Sequence, residues 1–215
     1  MANVITAGNS SNGGTAITTD TSGTLNIVTG SGSGTTAVTV DGSGNVVVTG
    51  TLTASGGVSG GIRSGTAVAS TSGTSIDFTG IPTGVKRITV MLNGVSVSGT
   101  SVIQVQIGSG SITTTGYVSA ASILSNATFS ASVTSGFALL QQNAATYAHS
   151  GHAVITNISS NIWVQSGVFS NSNTAAFTST SGGNISLGGT LDRIRITTVN
   201  GTDTFDAGTI NILYE

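Results

Sequence analysis

The sequence predicts an all-β protein in two parts: a repetitive β-stalk over residues 1–61, then an antiparallel β-sandwich of jelly-roll-like character over residues 62–215. Three observations carry this. Apolar and polar residues alternate in short runs, as in Ile103, Val105 and Ile107 against Gln104 and Gln106, or Ile210, Ile212 and Tyr214 near the end. That period of two puts one set of side chains on each face of a strand. The runs are separated by Gly, Ser and Asn clusters that favour turns. Residues 1–61 contain no aromatic residue and no cation, so they form a compositionally separate part.

The first part repeats itself. Residues 16–27 (AITTDTSGTLNI) match residues 37–48 (AVTVDGSGNVVV), with the Ala, a Thr, the Asp and a Ser-Gly pair in common and aliphatics replacing aliphatics. Each copy reads as strand, Asp/Ser/Gly turn, strand and glycine-rich break. A copy has too few aliphatics to offset a backbone ordering cost of about 1–2 kcal/mol per residue. Repeats of this kind gain stability by stacking or by sharing a core between chains, so a homotrimer about a common axis is expected. Gly56-Gly57-Val58-Ser59-Gly60-Gly61 reads as a hinge.

The second part opens with Ser75 to Leu92, where alternating apolar residues, the only proline and charges of both signs meet. Gly80-Ile81-Pro82-Thr83-Gly84 reads as the loop of a hairpin, which sets Thr79 opposite Val85 and Asp77 opposite Arg87. Such an ion pair is worth roughly 0.2–1 kcal/mol. Further strands are expected at 102–107, 152–158, 162–169, 175–178, 185–187, 191–199 and 209–214. Residues 137–149 are the one stretch with helical potential. They lack a capping box and sit among strands, so they read as strand or irregular.

Composition excludes several functions. Five cations against seven acids, a net charge of −2, give no basic face for counterion release from nucleic acid. The absence of cysteine removes disulfides and thiolate metal sites. No apolar run approaches the roughly 18 residues of a spanning helix. The start Met1-Ala2-Asn3-Val4 lacks the cationic opening of a signal peptide, which speaks against Sec-type export. There is no G-x-S-x-G elbow, phosphate-binding loop, G-x-G-x-x-G or H-E-x-x-H, so the chain is not expected to be an enzyme or to hold a cofactor.

The remaining candidates are weak. His149 and His152 would need further metal ligands that the sequence does not place nearby, and read as a histidine pair at a turn. Asp203 and Asp206 flank Phe205 in a loop, where Asx-turn bonding outweighs a calcium site or glycosidase pair. Asp192 beside Arg193 and Arg195 reads as a polar strand face. Trp163 and Tyr117 are possible stacking platforms for a sugar, with core packing the better reading for most aromatics.

TAVASTSGTSIDFTGIPTGVKRITVMLNGVSVSGTS and the ending LDRIRITTVNGTDTFDAGTINILYE resemble a module of fibre-like virion proteins of tailed bacteriophages. MANVITAGNSSNGGTAITTDTSGTLNIVTGSGSG and TGTLTASGGVSGG resemble their repetitive stalks. The resemblance implies a homotrimeric head or tail appendage with a β-rich head, in a virion assembled in the bacterial cytoplasm. Its partners would be its own copies, other virion proteins and a host-surface glycan, with no nucleic acid and no membrane insertion. It transfers no catalytic, cofactor, metal or receptor-binding residue. The alternative is a capsid decoration or cement protein whose N-terminal segment lies along the shell as an arm. A tailspike-like glycan hydrolase is disfavoured, because seven acidic residues offer little choice of a carboxylate pair.

Overall fold

Aspartate organises the N-terminal sheet. In this computed structural model, which describes residues 24–29, 35–49, 61–123, 129–171, 173 and 177–215, the chain divides into two units, Met1–Ser59 and Gly60–Glu215. In the first, β1 (Leu25–Thr29), β2 (Thr35–Val40) and β3 (Val46–Val48) form an antiparallel sheet in that order. The β2–β3 turn is built on Asp41, whose Oδ1 accepts the N–H groups of Ser43 and Asn45, both at 2.9 Å. Its Oδ2 accepts Asn45 Nδ2 at 2.8 Å, and Gly44 takes the left-handed conformation (φ +83°) that closes the turn. These bonds, above all the one from the Asn45 side chain, hold the Asp41 carboxyl below its ordinary pKa.

The register sets Ile27, Val38 and Val48 in one cross-strand row and Val40 beside Val46. Among the described residues of the sheet none is buried: Ile27 is 52% exposed and Val46 62%, while Val38, Val40 and Val48 are half-buried. The second copy of the repeat is thus strand, turn and strand. The first copy's strand and Asp20 turn, and the hinge up to Gly60, lie outside the described residues.

The second unit contains β4 (Arg63–Ser64), β5 (Val68–Ala69), β6 (Ser75–Thr79), β7 (Arg87–Val97), β8 (Ile103–Ser109), β9 (Ser111–Ile112) and β10 (Val118–Ile123). After them come β11 (Phe129–Val133), β12 (Phe137–Ala138), β13 (His149–Ser159), β14 (Ile162–Asn171), β15 (Phe177–Ser186), β16 (Arg193–Thr198) and β17 (Phe205–Tyr214). All pairings are antiparallel. A nine-stranded sheet runs β11-β10-β15-β14-β13-β7-β17-β4, with β5 also on β17. A five-stranded sheet runs β12-β8-β16-β6, with β9 on β8. Ile88, Val90, Ile155, Ile210 and Ile212 of the larger sheet and Ile103, Val105, Ile107, Ile194 and Ile196 of the smaller one belong to a single buried cluster. The result is sandwich-like and all-β, as the alternation predicts.

The expected hairpin does not form. β6 pairs with β16 in the smaller sheet, whereas β7 lies between β13 and β17 in the larger one. The loop from Gly80 is a passage from one sheet to the other. Ile81 is 5% exposed and donates its N–H to the Asp192 carbonyl at 3.0 Å, so burial draws the loop into the core. Asp77 therefore meets Arg195, with both carboxylate oxygens at 2.7 Å from the guanidinium, and Arg87 pairs with Glu215. The hydrogen bond to Asp77 raises the pKa of Arg195.

Other boundaries shift for local reasons. Of the segments expected at 175–178 and 185–187, residues 177–178 and 185–186 belong to one strand, β15, whose Gly182 and Gly183 are no break, while 175 and 176 lie outside the described residues. Gly183 lies where a Cβ would stand 2.6 Å from the Val118 carbonyl. Residues 137–149 hold β12, an irregular run and the start of β13. Gln104 and Gln106, on the expected polar face of β8, are 2% and 6% exposed. The bend at Ser135 satisfies them, its carbonyl accepting Gln106 Nε2 at 2.8 Å and its hydroxyl donating to Gln104 Oε1 at 2.9 Å.

Three adjacent strands share an irregularity in their pairing. Gly94 in β7, Gly151 in β13 and Gly208 in β17 all have positive φ, and the pairings slip near each of them. A Cβ on Gly208 would lie 2.5 Å from the Gly94 carbonyl oxygen, so only glycine permits this approach.

Candidate functional site

Three loops meet beside the β13–β14 turn. The β6–β7 passage brings Thr83 and Lys86, the end of β13 brings Asn157, the β13–β14 turn brings Ser160 and Asn161, and the β15–β16 connection brings Thr190. Together they surround a pocket of about 220 Å³, to which the buried Trp163 also contributes.

Asn157 holds the pocket together. Its backbone N–H donates to the Lys86 carbonyl at 2.8 Å, and its Oδ1 accepts Lys86 Nζ at 3.1 Å. Its Nδ2 donates to the carbonyls of Ser160 (3.0 Å) and Ile162 (3.2 Å), which pins the turn. Ser160 has φ +44°, the one positive value for a non-glycine residue among those described. A serine in that region costs of order 1 kcal/mol, which the Asn157 clamp offsets.

The electrostatics are simple. Lys86 is the only lysine of the chain. Arg87, Arg193 and Arg195 each bind a carboxylate, respectively Glu215, Asp192 and Asp77, whereas Lys86 has an amide partner. No acidic residue lines the pocket. Hydroxyls, amides and one ammonium offer donors and acceptors for a polar ligand, with no nucleophile–base pair.

The sequence candidates take other places. His149 and His152 are not at a turn. Both lie in β13, with His149 fully buried and His152 exposed, because residues three apart on a strand point to opposite faces. His149 Nε2 is 2.9 Å from Asn143 Oδ1, its Nδ1 has no partner, and burial pushes its pKa down to about 4. Asp203 accepts Asn200 Nδ2 at 2.7 Å and the Ser101 N–H at 2.9 Å, while Asp206 binds the Ser96 hydroxyl. These are turn and bridging bonds.

Asp192 accepts Arg193 at 2.8 and 3.1 Å and the Gly110 N–H at 3.1 Å; the Arg193 hydrogen bond leads in lowering its pKa. Tyr117 and Trp163 are 1% and 3% exposed, so neither ring is a stacking platform. The Tyr117 hydroxyl accepts the Ile107 N–H at 2.8 Å, and burial raises its pKa. Among the described residues no three His, Cys, Asp or Glu side chains are grouped to hold a metal.

No protein family, curated protein or solved structure matches this chain. Sequence reasoning missed the pocket, because its residues come from three loops that only the sheet topology brings together. The lone lysine beside the lone proline loop was its one legible signal.

Proposed function

We propose that the chain is a structural protein of a bacteriophage virion, a homotrimeric head or tail appendage. Residues 1–61 would form its trimeric β-stalk, and residues 62–215 would be a head that adheres to a host-surface glycan. The observation that carries this reading is the incompletely buried aliphatic face of the N-terminal sheet: Ile27 and Val46 are exposed and Val38, Val40 and Val48 half-buried, in a unit with no buried residue among those described. Such a face gains order by meeting its equivalents in other copies. The resemblance of the sequence to phage fibre modules points the same way. A trimer adds avidity, so a shallow polar pocket on each head suffices for adhesion.

Sedimentation velocity on the full chain tests the assembly. An elongated species at three times the 21.0 kDa chain mass is expected. A compact monomer would refute the trimer and move the reading to a capsid decoration protein, whose N-terminal segment gains order against the shell.

A further inference from the structure

We infer that the pocket at the β13–β14 turn binds an anionic sugar unit, with the Lys86 ammonium meeting the ligand's carboxylate or phosphate. This rests on the adhesion reading and assigns it a place and a ligand class. Three features support it. The volume of about 220 Å³ suits one sugar ring. The hydroxyls of Thr83, Ser160 and Thr190 and the amide of Asn161 each donate and accept, which matches the mixed demand of sugar hydroxyls.

The third feature is charge. Lys86 donates to Asn157 and has no carboxylate partner among the described residues, while the neighbouring Arg87 and Arg193 are neutralised by Glu215 and Asp192. An ammonium has three donors, so two remain after Asn157. Asn157 is itself fixed through Ser160 and Ile162, so the cation is held in position before the ligand arrives. A neutral sugar would leave this charge unused; an anionic one makes a charge-assisted bond with it.

The test uses the full chain on immobilised polysaccharides of three kinds: uronate-containing, phosphodiester-containing and neutral dextran. Lys86→Gln keeps hydrogen bonding and removes the charge. A matching melting temperature shows that the variant is folded. The expected result is binding to one anionic class, weakened about tenfold or more in the variant, and weakened also by salt. The class that binds decides between carboxylate and phosphate. Binding that Lys86→Gln leaves unchanged, or binding to dextran alone, overturns the inference and leaves adhesion standing. Binding to none of the three, nor to a wider glycan array, removes the adhesion reading and this inference with it.

Discussion

His149 gives the protein a specific sensitivity to acid. Its ring is fully buried at the start of β13, across from Val95 of β7 and Asn171 of β14. The Tyr147 and Phe177 rings stand 6.1 and 6.3 Å from it, centroid to centroid. One ring nitrogen meets Asn143, the other meets nothing, and no charged partner offsets burial. The folded pKa is therefore about 4 against 6.5 in the unfolded chain.

Between these values the unfolded chain binds more protons, so stability falls as pH falls. The contribution is complete above about pH 6.5 and is lost progressively down to about pH 4, for a total of about 3 kcal/mol. That is a large share of the 5–15 kcal/mol typical of a domain. His149→Gln removes the titration. The assay is urea unfolding at fixed protein concentration from pH 7.5 to 4.5, followed by the fluorescence of Trp163, the sole tryptophan. The wild type loses stability steeply across that range, and the variant, weaker at pH 7.5, changes much less. Equal pH dependence in the two proteins would show that His149 is not the titrating group.

Two further outcomes follow from the strand pairing. A double-mutant cycle on Asp77 and Arg195 gives a coupling of about 0.5–1 kcal/mol, as expected for a bidentate pair at the surface, whereas the cycle on Asp77 and Arg87 gives none. Gly208→Ala costs about 1–3 kcal/mol in urea unfolding, because its Cβ meets the Gly94 backbone and its φ of +96° is strained for alanine.

The sequence made the strands of the core legible wherever a strict period of two paired β-branched or aromatic residues with polar ones, as in β8, β14 and β17. It hid β10 and β11, because Val118-Ser119-Ala120-Ala121-Ser122-Ile123 and Phe129-Ser130-Ala131-Ser132-Val133 carry mostly small side chains with little contrast between faces. The passage through Pro82 misled for a different reason. Adjacent strands joined by a glycine-rich loop ordinarily form a hairpin, but here β6 pairs with β16, β7 is paired on both sides by β13 and β17, and the buried Ile81 anchors the passage between the sheets. Arg195 is distant in sequence, so its competition with Arg87 leaves no local trace. The pocket was illegible on the same ground.

The position of β17 bears on how the protein is made. It is the latest of the described strands to be synthesised, yet it sits between β7 and the β4/β5 edge and supplies Phe205, Ile210 and Ile212 to the core. While the ribosome still holds this stretch, β7 has one flank bare and β4 and β5 have no neighbour to pair with. The larger sheet can then be completed only after translation has passed Tyr214. A chain lacking that strand would leave β7 as a bare edge of the larger sheet, open to edge-to-edge pairing and to proteases.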